Sequence, residues 1–216
     1  EATAAVRAPA GRPPRVGLIV IGDELLKGMT PDINIFAAAK ALRSHGVPLS
    51  RVSVISDHGP HIVEEIRRFT EEVDVIITSG GVGPTHDDIT MTSVAEALGL
   101  ELEVHCEMAE LLLEKMGSAG TGQDGDDDDD DAHAPNRRQV LTRKMSQGQE
   151  KMATLPTSAV LRYLPGDADE WPVMQCQHVF VLPGVPQYFE NNIKRLAAHL
   201  PTAPSAPARR EHGRAG

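Results

Sequence analysis

The sequence predicts an α/β fold, a three-layer α/β/α arrangement in which helices cover both faces of a mostly parallel sheet. Short continuous apolar runs, typical of strands buried on both faces, occur at Val16–Ile21, Val52–Ile55 and Val73–Ile77. Each run is followed by a segment with apolar residues at helical spacing. Because strands separated by helices pair in parallel through right-handed crossovers, we expect helices on both sides of the sheet.

Start and stop residues bound the predicted helices. Thr30 is predicted to cap the first helix, with Pro31 at its first position and Gly46 at its end. The segment before it, residues 22–28, is predicted to be a polar loop, and a second helix is predicted over His61–Thr70. The later predicted elements are the helix Ile89–Leu98 ended by Gly99, the extended piece Leu100–Val104, the helix Glu107–Met116, the helical segment Asn136–Met145, the strands Ala159–Tyr163 and His178–Leu182, the turn Leu182–Pro186 and the helix Gln187–Leu200.

Composition predicts a single domain with one insertion and two flanks. We expect a domain over 16–200, a solvated, disordered acidic insertion at 117–135, and disordered flanks at 1–15 and 201–216. Seven aspartates lie within Asp124–Asp131, and without them the formal charge would be −3 instead of −10. The domain itself is therefore nearly balanced in charge.

Several classes of partner are excluded by the composition. The domain is not basic, and aromatic residues make up only 3% of the chain, which argues against nucleic-acid binding. No apolar run of membrane length is present, so we expect no membrane partner. Cys106 and Cys176 are expected to be reduced and buried. These features favour an intracellular protein, cytoplasmic or, given the Arg- and Ala-containing start, organellar.

The most informative stretch is the glycine loop, residues 78–88, with the sequence Thr-Ser-Gly-Gly-Val-Gly-Pro-Thr-His-Asp-Asp. It lies between a predicted strand and a predicted helix. Glycines allow the backbone to approach a ligand closely, and a helix N-terminus favours an anion, so the loop suits phosphate. Two carboxylates, Asp87 and Asp88, would repel phosphate unless a divalent cation lies between them. The alternative is a tight turn in which an aspartate caps the helix.

Three motifs together resemble the MoaB/Mog molybdopterin-binding domain. They are the residues 21–28 (Ile-Gly-Asp-Glu-Leu-Leu-Lys-Gly), the glycine loop continued through Ile89-Thr90, and Leu182–Pro186 (Leu-Pro-Gly-Val-Pro). The branch is similar to the competence/damage-inducible protein CinA and to the N-terminal domain of eukaryotic FAD synthases. The segments 136–139 and 155–159 strengthen the resemblance to this branch.

The resemblance implies a MoaB/Mog-type fold, a homo-oligomer (dimer or trimer), and a set of site residues. It implies that Gly80, Gly81, Gly83 and Thr85 cradle phosphate, that Asn34 and Gly184 also bind substrate, that Asp88 and Asp57 are catalytic, and that Asp88, Asp87, Asp23 and Glu24 hold a divalent metal ion. Magnesium, manganese, cobalt and nickel all remain open as that metal. Simpler roles also stay open, because Asp57 can simply end its strand, Asp23 and Glu24 can form a polar turn, and His86 can be a hydrogen-bonding partner. A side chain at Gly81 is expected to block the phosphate with a modest loss of stability.

The function predicted first is metal-dependent hydrolysis of a nucleotide-cofactor pyrophosphate, FAD or ADP-ribose. Converging carboxylates beside a phosphate loop favour metal-assisted phosphoryl chemistry over covalent catalysis. The alternatives are molybdopterin binding and adenylylation, and a non-catalytic nucleotide-binding module with a regulatory role. The separate synthetic domain of FAD synthases does not appear in this sequence, so FAD synthesis is not predicted.

Overall fold

The computed structural model describes residues 12–118, 136–166 and 171–202. Most of the two predicted flanks, 1–15 and 201–216, and most of the predicted insertion, 117–135, therefore lie outside the described residues. Within the described residues no helix is long and apolar enough to cross a membrane.

A six-stranded, mostly parallel sheet forms the centre of the molecule. The strands are β1 Val16–Ile21, β2 Leu49–Ile55, β3 Val75–Ser79, β4 Leu102–Val104, β5 Thr154–Pro156, β6 Ala159–Arg162, β7 Val173–Cys176 and β8 Val179–Leu182. The strand order in the main sheet is β2-β1-β3-β8-β7-β6. The first four strands of that order are parallel, whereas β7 and β6 run antiparallel to their neighbours. Strands β4 and β5 form a separate antiparallel pair.

Helices cover both faces of this sheet and confirm the three-layer fold. They are α1 Asp23–Leu26, α2 Asn34–Ser44, α3 Gly59–Glu72, α4 Thr90–Leu98, α5 Cys106–Met116, α6 Arg137–Lys144, α7 Gln147–Ala153 and α8 Pro186–His199. Alternate residues of β1 face opposite layers, because Ile19 packs with α3 and α5 while Leu18 packs with α2 and α8. The sheet is therefore buried on both faces, as its continuous apolar strands predict.

Several predicted element starts differ from the structure. The first long helix begins at Asn34 and not after Thr30, and the side chain of Asp32 accepts a hydrogen bond from the Ile35 backbone N–H at 2.8 Å. Strand β2 begins at Leu49 and not at Val52. Strand β3 begins at Val75, because Val73 is the C-cap of α3 and donates its backbone N–H to the Phe69 carbonyl. At the first long helix and at β3, the apolar pattern is correct, but local hydrogen bonds set the boundary.

Four elements were missed or assigned differently. The predicted loop 22–28 contains the short helix α1, and α7, β5 and β7 had no clear apolar period in the sequence. Strand β7 is fully buried although it carries Gln175, whose side chain is satisfied by Arg162 and by the Gln177 carbonyl. Both cysteines are free thiols, with Cys176 buried as predicted and Cys106 only half-buried.

The start of β3 is tied to the segment before β1 by a carboxylate. Asp74 accepts hydrogen bonds from the Arg12 guanidinium at 2.6 and 3.0 Å and from the Arg15 backbone N–H at 2.6 Å. Its side chain is only 18% exposed. The Arg12 guanidinium is the main reason why the pKa of Asp74 lies far below its ordinary value.

We expect Asp74→Asn to lower the free energy of unfolding at pH 7 by about 1 kcal/mol. A fully buried ion pair would contribute more, but solvent screens this one because the Arg12 and Arg15 side chains are 41% and 47% exposed. A carboxyl group whose pKa is lower in the folded state than in the unfolded state stabilises the fold at pH values above its ordinary pKa of about 3.9. This stabilisation is lost as the pH falls from that value towards the pKa of the folded state. The difference in urea unfolding between the two proteins should therefore begin to shrink at about pH 4 and continue to shrink as the pH falls further. Glu71→Gln, an equal charge change at an exposed site on α3, is the control. A difference that persists at low pH would contradict the ion pair.

Candidate functional site

The predicted site residues lie at one edge of the sheet. Helix α1 follows β1 directly, Asp57 follows β2, the glycine loop follows β3, and the turn 183–185 follows β8. These four strands are parallel, so their carboxyl ends open towards the same side. Open α/β sheets bind ligands at such an edge.

Two glycines of the loop are required by the packing of the chain itself. Gly80 has φ 108° and Gly81 has φ 64°, both unfavourable for a residue with a side chain. A Cβ on Gly80 would lie 2.2 Å from the Ile21 carbonyl oxygen, and one on Gly81 would lie 2.4 Å from the Thr90 hydroxyl. Contacts within the chain are thus sufficient to explain both glycines without a ligand. The role of these glycines in binding phosphate stays a prediction.

Thr90 anchors the loop to α4, a role that the sequence analysis missed. Its hydroxyl donates to the Gly80 carbonyl at 2.9 Å, and its backbone N–H donates to the Gly81 carbonyl at 3.0 Å. The side chain is completely buried. The first turn of α4 is therefore fixed against the end of β3.

Asp88 closes the loop and does not cap α4, whose preceding residue is Ile89. One carboxylate oxygen accepts from the Thr85 backbone N–H at 2.9 Å and from the Thr85 hydroxyl at 2.6 Å. Partial burial acts to raise the pKa of Asp88, but the Thr85 hydroxyl, the backbone amides of Gly83 and Thr85 and the charge of Lys151 outweigh it. The net pKa lies below the ordinary value, so the carboxylate is charged.

Asp57 behaves in the opposite way. Burial raises its pKa above the ordinary value, and the negative charges of Glu24, Asp23 and Asp88 add to the rise, while a hydrogen bond from the Asp23 backbone N–H opposes it. That bond, 2.8 Å long, joins the end of β2 to the first turn of α1. Asp57 is therefore close enough to three other acids to be affected by their charge.

Asp23 takes part mainly through its backbone. Its carboxylate lies 2.7 Å from the Lys27 ammonium, one turn further along α1, and that hydrogen bond is the largest cause lowering the pKa of Asp23. Its backbone N–H meanwhile holds Asp57. The alternative role considered for Asp23 and Glu24 was a polar turn. In the structure these two residues form the first turn of the short helix α1.

Asn34 lies in a pocket of its own, the Asn34 pocket, of about 250 Å³. Its side-chain N–H₂ donates to the Ser79 hydroxyl at 3.0 Å and to the Gly184 carbonyl at 2.9 Å. Its side-chain oxygen is buried and has no partner among the described residues. A buried acceptor without a donor is costly, so this oxygen is suited to a donor on a ligand.

Lys151 on α7 is a further site residue that the sequence analysis missed. It lines the Asp88 pocket, a space of about 300 Å³ bounded also by Gly83, Asp88, Glu150 and Thr154. Its ammonium group donates a hydrogen bond to the Thr85 carbonyl. The capping box of Ser146 and Gln149 signals the helix in the sequence. Nothing in the sequence places that helix beside the glycine loop, 66 positions earlier.

The structure does not gather all predicted residues into one pocket. Gly83 and Asp88 line the Asp88 pocket, whereas Glu24, Asn34 and Gly184 line the Asn34 pocket. Asp57 is influenced by the charges of both Glu24 and Asp88. Thr85, His86 and Asp87 are exposed on the loop.

The carboxylates fit a metal ion held only in part by protein. Within the described ranges, no group of three or more His, Cys, Asp or Glu is placed to hold a metal ion. Hard cations such as Mg²⁺ are commonly held by one or two carboxylates, with the phosphates of the substrate as further ligands. Asp88 fits that arrangement because it is charged and faces a pocket, while the Asp23 carboxylate is paired with Lys27.

Comparison with known proteins agrees with the resemblance in the sequence. Residues 17–202 match the family described as "Probable molybdopterin binding domain". A probable FAD synthase of Caenorhabditis briggsae is 30% identical over 205 residues, which cover 90% of this chain and 36% of the relative. A CinA-like protein of Myxococcus xanthus is 30% identical over 177 residues, covering 82% of this chain and 37% of the relative. This chain thus spans little more than a third of the length of either relative.

Among solved structures, the protein CinA from Thermoplasma acidophilum, described as having unknown function, is similar to this chain. The TM-score is 0.67 at 26% sequence identity, and the match covers 85% of this chain and 96% of that one. The predicted fold type is confirmed by this likeness.

Geometry alters the expected cost of a side chain at Gly81. Gly81→Ala should lower the free energy of unfolding by about 1–3 kcal/mol more than Gly28→Ala does, because only the former meets another group. Gly28 is the matched control, since it has φ 68° and nothing within 4 Å of an added Cβ. Both variants share the strain of a positive φ. Equal urea unfolding midpoints would show that the contact with Thr90 relaxes freely and that the loss is modest.

Proposed function

The chain belongs to the family of probable molybdopterin binding domains, and on that premise we propose that it is a metal-dependent hydrolase of a nucleotide-cofactor pyrophosphate, FAD or ADP-ribose. The observation that carries the proposal is that Asp57 and Asp88 lie near enough for their charges to interact, at the edge where open α/β sheets bind ligands, and that their pKa values shift in opposite directions. The pKa of Asp57 is raised and that of Asp88 is lowered. Titratable groups whose environments separate their pKa values are typical of acid–base pairs in enzymes.

Asp57 is suited to act as the general base. A raised pKa makes its carboxylate a stronger base than an ordinary aspartate, and the hydrogen bond from the Asp23 backbone N–H holds it in place. In the hydrolysis, a water oxygen forms a bond to one phosphorus of the pyrophosphate and the bond from that phosphorus to the bridging oxygen breaks. The water proton passes to Asp57, and two phosphate monoesters leave.

Asp88 and Lys151 are suited to offset the negative charge of the substrate phosphates, Asp88 by holding a metal ion and Lys151 by its ammonium group. The lowered pKa keeps Asp88 ionised, so it is the residue that would hold the metal ion, and Asp87 and Glu24 would be further carboxylate ligands. A divalent ion there supplies charge neutralisation for the pyrophosphate oxygens. Lys151 adds a positive charge at the same pocket. Magnesium or manganese suits these oxygen ligands, and cobalt or nickel remains a candidate.

Asn34 adds a recognition point away from the phosphates. Its buried side-chain oxygen accepts from no group of the described chain, so a hydroxyl or ring N–H of the ligand can donate to it. Gly184 packs against Gly80, and a Cβ there would lie 3.1 Å from the Gly80 Cα, which keeps the Asn34 pocket beside the glycine loop.

Molybdopterin binding is the second candidate, and the family description favours it. Both candidates place a phosphate-bearing organic ligand at the same edge of the sheet. They differ in whether an anhydride bond is cleaved. FAD synthesis, the activity named for one relative, belongs to a protein of which this chain covers 36%, and we do not assign it.

We also propose that the protein is a homo-oligomer, a dimer or trimer. Large apolar side chains are exposed around the start of α2, with Met29 75% and Phe36 73% accessible. Exposed apolar patches of this kind mark contact surfaces. Phe36 lies in the first turn of α2, and Met29 precedes that helix in the chain.

Hydrolysis of FAD and ADP-ribose by the wild type and by Asp88→Asn tests the function. Loss of the charge should lower kcat by about a hundredfold or more with magnesium, manganese, cobalt or nickel. Affinity for ADP without metal should change little or improve, because repulsion of the anion falls. Melting curves, with Glu71→Gln as the charge control, check the fold. Equal rates of hydrolysis in the two proteins would show that Asp88 has no catalytic role. A wild type that is inactive with every metal would favour a protein that binds its ligand without hydrolysing it.

The pH profile tests Asp57. The base must be deprotonated, so kcat/KM should fall as the pH drops through its raised pKa, which lies above the ordinary value of 3.8. Since the charge of Glu24 contributes to that rise, Glu24→Gln should move the acid limb to lower pH. An acid limb that does not move in Glu24→Gln would show that another group titrates.

A further inference from the structure

A second pocket lies beside the Asp88 pocket and has a different chemistry. This methionine pocket, of about 300 Å³, is lined by Met91, Met108, Met152, Met174, Trp171 and Tyr188, together with valine and proline side chains. The walls come from α4, α5, α7, β7 and α8, so the pocket is formed by the complete fold and not by one loop.

The residues that line it are unusual for this chain. Four of the seven methionines of the sequence are here, with its only tryptophan and one of its two tyrosines. None of the described residues that line the pocket is charged. Pockets for organic rings are lined in this way, by apolar and aromatic side chains with few polar groups.

The methionine pocket adjoins the Asp88 pocket. The side chains of Val82, Met91 and Met152 line both. Val82 comes after the two glycines that follow β3, and Met152 is next to Lys151 on α7. A ligand with its phosphates at Asp88 and Lys151 therefore has an apolar compartment immediately next to them.

We propose that the methionine pocket binds the flavin ring of a flavin nucleotide, with the benzenoid end of the ring innermost. The inference rests on the proposed function, because it assumes that the phosphates of the same ligand lie in the Asp88 pocket. It assigns the ring-binding role to Tyr188, Trp171 and the four methionines.

The chemistry of the ring decides between a flavin and other heterocycles. Adenine and pterin carry ring or exocyclic nitrogen on most of their edges, and burying these without partners is costly. A flavin ring has one end that is a dimethylated benzene, which needs no hydrogen bonds. The pocket offers thioethers, an indole and a phenol, so it suits that end of a flavin best.

Methionine side chains are also well suited to a ring of this size. Their thioethers are polarisable, contact aromatic rings favourably and adjust to shape because they are unbranched. Met174 is only 3% exposed and Met108 only 9%, so part of the lining is buried in the core, whereas Tyr188 is 50% exposed. We expect a bound ring to cover the exposed part of the Tyr188 side chain.

The test uses FMN, which carries the flavin ring and one phosphate but has no anhydride bond to hydrolyse. The full chain is labelled with ¹³C at the methionine methyl groups, and FMN is added without metal. The methyl signals of Met91, Met108, Met152 and Met174 should shift through the ring current of the flavin. Those of Met29, Met116 and Met145 lie outside the pocket and should not shift.

Two matched variants locate the ring independently. Tyr188→Ala should weaken FMN binding by roughly fivefold to a hundredfold, the range for loss of one aromatic stacking partner. Tyr163→Ala is the control, because Tyr163 is also 50% exposed and does not line the pocket. Quenching of the single tryptophan by FMN gives the affinity of each protein.

The outcomes separate this inference from the proposed function. Shifts confined to the four pocket methyls, with weaker binding in Tyr188→Ala alone, support the site even if no pyrophosphate is hydrolysed. If ADP-ribose shifted the pocket methyl signals and FMN did not, adenine would occupy the pocket, and the proposal would be overturned. Unchanged pocket methyls at saturating FMN would also overturn it, whether or not FAD is cleaved.

Discussion

The close approach of Gly80 to the Ile21 carbonyl is the constraint on which the site depends. The Cβ of any other residue would lie 2.2 Å from that oxygen, so the ends of β1 and β3 can approach this closely only because the residue is glycine. The Gly80 backbone also accepts from Thr90 and donates to Leu182, which joins α4 and β8 to the same point. The ends of β1, β3 and β8 and the start of α4 are thereby held together. A side chain here would separate them, and every acid at this edge would move.

Charge at the site follows from that arrangement. Asp57 is raised in pKa mainly by burial, and the carboxylates near it add to the effect because the strand ends are close. Asp88 escapes the same effect because its oxygens are bound by amides and by the Thr85 hydroxyl. Two residues of one type thus acquire opposite pKa shifts, because burial and neighbouring carboxylates act on Asp57 while hydrogen bonds from the loop act on Asp88. Lys151 reinforces the difference from a helix that is distant in sequence.

The sequence predicted the parallel half of the fold well and the rest poorly, for physical reasons. Strands such as β1 and β3 are continuous apolar runs because helices cover both faces, and Gly99 adopts the left-handed conformation that ends α4. Strand β7 was not predicted, because Gln175 interrupts its apolar pattern and the side chain of Gln175 forms its hydrogen bonds only in the folded chain. For the site, motif residues lay at the expected edge, but hydrogen bonds of Thr90 and Lys151 depend on tertiary contacts that no spacing encodes.

The position of β8 in the sheet has a consequence for how the chain is made. Although β8 is the last strand of the described chain, it lies in the middle of the sheet, where Ile76 of β3 pairs with Val179, 103 positions later. Strands β1, β2 and β3 leave the ribosome before β8, and the edge of β3 lacks its β8 partner until β8 emerges. Such an edge is a template for aggregation, and pairings of long sequence separation form slowly. The interval between the synthesis of β3 and that of β8 is therefore the period in which a nascent chain is most open to misassembly.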